Sequence, residues 1–326
     1  MDIVLSGMQP SGKLHIGNLV GALHNWVELQ PKYDCYFFIA DWHALTSQYA
    51  DTSLILENIK DMLINWLAVG IDPNRATVFI QSRVKEHAEL HLLLSMITPV
   101  SWLERTPTYK EKQQDLQDKD LSSYGFLGYP LLQAADILVY NARYVPVGQD
   151  QLPHLEITRE VARRFNNLYG MVFIEPDALL TRFPKVIGLD GRKMSKTYNN
   201  CIYLSDSRET MEKKIKTMVT DPARVRRTDP GNPALSPVFE LHQVFSSTEE
   251  REEIAQGCQT AGIGCIDCKK ILIKNMTAVL EPIWEKRQQL VASKAFLDDI
   301  IQTGTAKAIQ TAQKTMESVR KAMALR

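Results

Sequence analysis

Apolar residues along the chain follow two alternating patterns. Continuous apolar runs stand at Ile3 to Leu5, Tyr36 to Ala40, Ala76 to Gln81 and Val145 to Val147. Runs of that length, bounded by turn residues, predict strands buried on both faces. Between them, apolar positions recur at helical spacing over Leu19 to Leu29, about His87 to Ile97, and His154 to Tyr169. The same spacing joins Ile55, Ile59, Met62, Leu63 and Trp66, ahead of Gly70. These segments predict amphipathic helices, with Asp51-Thr52-Ser53 capping the one that ends at Gly70. Strands alternating with helices predict an α/β chain, a Rossmann-like doubly wound parallel sheet with ligands at the carboxyl ends of its strands. Past about residue 200 the pattern is helical throughout. The expected division is therefore 1–200, with a helical insertion at about 101–143, and an α-helical domain over 201–326.

One predicted helix breaks the amphipathic rule. Over Tyr129 to Tyr140 it is apolar almost all round, yet Tyr129, Gln133, Asp136 and Tyr140 recur at i, i+4, i+7 and i+11 and form one stripe. A carboxylate on such a helix is costly to bury without a partner. Either a structural amide satisfies Asp136, or the stripe lines a pocket where Asp136 accepts a hydrogen bond from a ligand N–H or O–H beside an aromatic wall. A site built around such a donor rejects analogues lacking it by ~10⁴–10⁵.

Composition narrows the class without naming it. The 326 residues are 44% hydrophobic and 23% charged, with Lys+Arg and Asp+Glu both at 38, so no global charge advertises a nucleic-acid partner. Local basic groups remain: Lys213, Lys214 and Lys216, then Arg224, Arg226 and Arg227, then Lys307, Lys314, Arg320, Lys321 and Arg326. They are either solvated helix faces or a salt-sensitive surface for RNA. No apolar run reaches ~18 residues and no export leader is visible, which predicts no membrane span. Five cysteines, a sparse and odd count, point to a reducing compartment, the cytoplasm.

The chemistry begins at Gly7-Met8-Gln9-Pro10-Ser11-Gly12-Lys13-Leu14-His15-Ile16-Gly17-Asn18. Strand, glycine-rich turn and helix N-terminus make an anion site, because unpaired helix N–H groups point outward there. Gly7 to Lys13 matches a phosphate-binding P-loop, but Leu14 stands where the magnesium-binding hydroxyl belongs. A P-loop phosphotransferase with Asp41 as its acid is the rival from a different class, and a basic RNA-binding protein without catalysis is a third. Both leave Gly191-Arg192-Lys193-Met194-Ser195-Lys196-Thr197 unexplained. That doubly basic segment, in a loop after Pro184, is suited to close on phosphates.

Together the two segments carry a resemblance. Pro10 to Asn18 resembles the HIGH signature of class I aminoacyl-tRNA synthetases, and Lys193 to Thr197, about 180 residues later, resembles their KMSKS signature. Gln9-Pro10-Ser11-Gly12 and Val145-Pro146-Val147-Gly148-Gln149-Asp150-Gln151 are similar to the tryptophanyl members. The tyrosyl members are the near neighbour, since Tyr129, Gln133 and Asp136 would also suit a phenol.

The resemblance implies activation of L-tryptophan by ATP, with Mg²⁺ assisting, to tryptophanyl-adenylate and pyrophosphate, then transfer to tRNA(Trp). It implies a catalytic set of Gln9, His15, Asn18, Lys193 and Lys196. ATP contacts would come from Gln9, Pro10, Ser11, Gly17, Asn18, Gly148, Gln149, Asp150, Val186, Lys193, Met194, Ser195, Lys196 and Thr197. Tryptophan would meet Leu5, Gly7, His43, Tyr129, Gln133, Asp136, Val145, Val147 and Gln151. It also implies a homodimer and a helical tRNA-binding domain. Some bacterial members hold an iron–sulfur cluster on four cysteines; here Cys258, Cys265 and Cys268 remain, with Ser236 where a fourth is expected. Three thiolates need a further ligand, so leftover thiols are the preferred expectation over a cluster or zinc.

Overall fold

A computed structural model describes residues 1–106, 123–180 and 186–325. Residues 107–122 of the expected insertion, Pro184 and Arg326 lie outside the described residues. Five parallel strands, β1 (Ile3–Met8), β2 (Asp34–Ile39), β3 (Ala76–Ile80), β4 (Tyr144–Val147) and β5 (Asp177–Leu180), form one sheet in the order β3-β2-β1-β4-β5. Strand order reverses between β1 and β4, which is where a doubly wound sheet opens a crevice at its carboxyl edge. β5 was not predicted. It has only four residues, all at least partly exposed.

Sequence explains why β1 and β4 pair so little there. Pro146 has no N–H to give to a ladder, and the register of β1 with β4 is confined to Val4 and Tyr144. The residues that follow on both strands, Leu5 and Gly7 on one and Val145 and Val147 on the other, line a cavity instead.

Helices cover both faces. Leu19, Leu23 and Trp26 with Met62, Leu63 and Trp66 fill one side, joined by Leu272, Met276 and Leu280 from the helix Cys265–Val291. Leu131, Leu138, Leu155, Val161 and Phe165 fill the other, joined by Ala308, Ala312 and Met316 from the helix Lys294–Ala322. That last helix returns to the sheet edge, where a Cβ on Gly304 would stand 1.9 Å from the Val78 carbonyl oxygen. Polar anchors hold it: Tyr36 Oη to Thr311 Oγ1 at 2.9 Å, Lys307 Nζ to Asp34 Oδ1 at 2.9 Å and Arg320 Nε to Glu89 at 2.7 Å.

Two local expectations change. The helix Ile55–Val69 starts without a side-chain cap; Asp51 Oδ1 accepts from Ser53 N–H and Oγ–H instead, closing a turn upstream. The helix after β1 begins at Ile16 rather than Leu19. It runs Ile16–Asn18, a π-helical stretch Leu19–Leu23 and His24–Leu29, with His15 as its N-cap.

Candidate active site

The helix mouth after β1 is organised by His15 and Asn18. Nδ1 of His15 accepts from the Gly17 N–H at 3.1 Å, and Asn18 Oδ1 accepts from the His15 N–H at 3.0 Å, a reciprocal capping box. Burial, and then the Lys196 ammonium, hold the imidazole pKa down to about 4. A neutral ring whose Nδ1 accepts must carry its proton on Nε2, so His15 offers a donor at the mouth of the helix. Gly17 is required beside it, because a Cβ there would stand 2.8 Å from the ring and 3.8 Å from Val186.

The second segment meets the first. Lys196 Nζ donates to the Gly12 carbonyl at 3.0 Å and lies 3.5 Å from Ser11 Oγ. Burial lowers its pKa, weakening its hold on the proton. The loop is pinned from below: Asn200 Oδ1 accepts from Ser195 N–H at 2.8 Å, and Asn200 Nδ2 donates to Asp190 at 2.7 Å and to the Lys193 carbonyl at 3.2 Å. Met194 is buried while Lys193 is exposed. The Lys196 side chain thus bridges residues 184 and 185 positions away.

All nine residues expected around the amino acid line one cavity of about 310 Å³ between β1 and β4: Leu5, Gly7, His43, Tyr129, Gln133, Asp136, Val145, Val147 and Gln151. Gln9 and Gly148 line it too. Gly7 is dictated by packing, since a Cβ would fall 2.4 Å from the Phe38 ring, itself a wall of the cavity. Tyr129 Oη lies 3.2 Å from His154 Nε2. Pro10, Ser11, His15, Gly17, Asn18, Gln149, Asp150, Val186 and Lys193 to Thr197 stand outside this cavity, and Asp150 accepts from Gln151 Nε2 at 3.0 Å.

Asp136 is 1% exposed and densely bonded. His43 Nε2 lies 2.7 Å from Oδ2, His87 Nδ1 lies 2.6 Å from Oδ1, and Gln81 Nε2 donates at 2.8 and 3.0 Å. Burial pushes the carboxyl pKa up, but the imidazoles and their hydrogen bonds prevail and hold it at about 2. Gln81 and His87 escaped the sequence reading. Gln81 ends an apolar run at the strand rim, a position that could have flagged it; His87 carries no local signal. Tyr140 corrects the stripe: it lies past the helix end at Leu138, buried outside the cavity and bonded to His87.

Cys268 Sγ lies 3.4 Å from His242 Nε2, and Cys258 Sγ lies 3.9 Å from an Arg224 guanidinium nitrogen. Burial and the neighbouring thiols push Cys268 up to about 12. Among the described residues no group of three or more His, Cys, Asp or Glu side chains is placed to hold a metal ion. Nor is any described helix long and apolar enough to cross a membrane.

Comparison with known proteins fits this geometry. Residues 2–281 match the family model for class I tRNA synthetases (W and Y). The tryptophan–tRNA ligase of Thermotoga maritima is 57% identical over 324 residues, covering 99% of each chain, and that of Ralstonia nicotianae is 46% identical over 99% of this chain and 98% of its own. A solved tryptophanyl-tRNA synthetase from Campylobacter jejuni, complexed with ADP and tryptophan, superposes with a TM-score of 0.89 at 36% identity, over 99% of this chain and all of that one. A parallel sheet whose switch point opens on a cavity, and a lysine loop reaching back to the first glycine-rich turn, are thus found in a chain that belongs to the class I tRNA synthetases for tryptophan and tyrosine, among the tryptophan–tRNA ligases.

Proposed function

We propose that the cavity between β1 and β4 holds L-tryptophan and that the turn Gly7 to Asn18 and the loop Lys193 to Thr197 hold ATP from two sides. The observation that carries this reading is a buried acceptor, Asp136, beside the Tyr129 ring in a cavity at the topological switch point. An indole is an apolar body with one N–H donor, and such a cavity suits it. Leu5, Val145 and Val147 would pack the ring; Gln133, Gln151 and His43 would add polar contacts.

No protein nucleophile is required. The substrate carboxylate attacks the α-phosphorus, the bond to the β-phosphate oxygen breaks, and pyrophosphate leaves. Catalysis then rests on position and on charge stabilisation in flight. Gln9, Ser11, Gly17, Asn18 and the His15 Nε2–H would orient the phosphates and nucleoside. Gly148, Gln149 and Asp150 would take the ribose, and Val186, packed beside Gly17, the adenine edge. Lys193, Ser195 and Lys196 would grip the departing pyrophosphate, with Mg²⁺ entering as the counter-ion of ATP.

The reading makes tryptophan the sole amino acid to support ATP–pyrophosphate exchange. Assay of all twenty amino acids checks it: exchange with tyrosine instead would reassign the pocket, and exchange with none would remove it.

The tRNA face, the division near residue 200, a cytoplasmic location and homodimerisation belong to the same proposal. Lys213, Arg226 and Arg227 remain candidates for RNA phosphate, whereas Lys214 is committed to Asp206, Lys307 to Asp34 and Arg320 to Glu89. A second copy is expected to cover Leu92, Met96, Val100 and Tyr124, each more than half exposed. Sedimentation at micromolar concentration reads this out; a strict monomer would contradict it.

A further inference from the structure

The acceptor in the cavity is set from behind. Among the described residues the ion-pair partners of Asp136 are two histidines, His43 and His87. His43 lines the cavity, but His87 and Gln81 do not. His87 is fully buried and held at both ring nitrogens, Nδ1 at 2.6 Å from Asp136 Oδ1 and Nε2 at 2.7 Å from Tyr140 Oη. Burial, and then the Asp136 charge, raise the Tyr140 pKa well above its usual value, so its hydroxyl keeps its proton. An ionised carboxylate can only accept, so His87 Nδ1 carries a proton and donates to Asp136, while Nε2 shares the second hydrogen bond with the Tyr140 hydroxyl. Gln81 is oriented in the same way: its Oε1 accepts from the His43 N–H at 3.4 Å, which turns its amide N–H toward the carboxylate.

Four contacts from three side chains already meet this carboxylate: His43 at Oδ2, His87 at Oδ1, and Gln81 Nε2 at both oxygens. We infer that His87, backed by Tyr140, is a positioning residue for amino-acid selection, which locks the Asp136 carboxylate in one rotation and so presents it to a side-chain N–H of the substrate. His87 touches neither substrate nor ATP; it acts through Asp136. The inference rests on the reading of this cavity as the tryptophan pocket.

Selection is read by comparing kcat/KM in ATP–pyrophosphate exchange for L-tryptophan and for its benzothienyl analogue, where sulfur replaces the indole N–H. For His87→Leu the tryptophan KM is expected to rise about ten-fold or more, equivalent to ~1.4 kcal/mol, with the ATP KM changed by less than about two-fold. The analogue has no N–H to lose, so the preference for tryptophan over it falls about ten-fold. His87→Asn, whose amide N–H reaches the place of Nδ1–H, recovers most of the preference. Tyr140→Phe gives a smaller loss in the same direction and serves if the leucine variant does not fold. A merely structural role would shift both substrates and ATP together. Undiminished preference in Tyr140→Phe and in folded His87→Leu would overturn the role of His87 alone. A wild-type enzyme without preference for tryptophan over the analogue would overturn the pocket reading and this inference with it.

Discussion

Alanine at Lys196 is expected to slow adenylate formation in a single turnover at least about 100-fold, ~3 kcal/mol of lost transition-state stabilisation. The dissociation constant for tryptophan should stay within about two-fold of wild type. Both parts follow from where the ammonium sits. Its Nζ rests on the Gly12 carbonyl at 3.0 Å, and it lies outside the cavity proposed for tryptophan. Its surroundings are shielded enough to lower its pKa by desolvation, and a charge in such a place acts more strongly than one in bulk water. Against neutral backbone in the resting state, it gains most when negative charge builds on the departing pyrophosphate, which is the condition for raising rate rather than binding. Rapid-quench measurement with saturating ATP and tryptophan tests this. A variant turning over at the wild-type rate would remove Lys196 from the reaction.

Asp136→Asn is the second large effect: tryptophan affinity about 100-fold weaker, ~3 kcal/mol, with ATP affinity unchanged. The substitution keeps the shape but removes the charge and turns one acceptor into a donor. His43, Gln81 and His87 all approach this group at 2.6 to 3.0 Å, so an amide N–H faces at least one of their donors, and a buried donor without an acceptor costs ~1–3 kcal/mol. The charge-assisted bond to the substrate N–H is lost as well. Equilibrium titration with tryptophan checks the value, and an unchanged constant would take Asp136 out of the pocket. The variant also differs in acid. Against the upward push of burial, the neighbouring imidazoles hold the Asp136 pKa at about 2, below its ordinary value of 3.8, so the carboxylate contributes stability that is complete above about pH 4 and fades as pH falls toward 2. Over that interval the asparagine protein should lose less stability than wild type.

Several features were readable before any coordinates because their causes are local. Leu14 in place of a hydroxyl, and His15 and Asn18 at the helix mouth, separated this turn from a P-loop through residue chemistry within a few positions. The Tyr129 to Asp136 stripe was visible because helical spacing alone places those side chains on one face. Where local cause was weak the reading slipped. Asp51 has both capping and turn geometries open to it, and the contacts around Ser53 chose the turn. Tyr140 fits the stripe arithmetically, yet the helix ends at Leu138 and the ring turns toward His87. β5 is four residues long and partly exposed, and it forms where β4 offers an edge to pair with.

The sequence by itself determined the alternation of strands and helices, the two signature segments and the identity of the buried carboxylate, since periodicity and residue chemistry act over a turn or two of chain. Only the tertiary structure decided which donors meet that carboxylate. Gln81 and His87 reach Asp136 across 55 and 49 residues, and Lys196 reaches Gly12 across 184. Such meetings depend on sheet order and helix packing, which no local pattern encodes. Pro146 shows both levels at once: its missing N–H is legible in the chain, but only the neighbouring β1, paired with β4 at Val4 and Tyr144 alone, makes that absence the wall of a cavity.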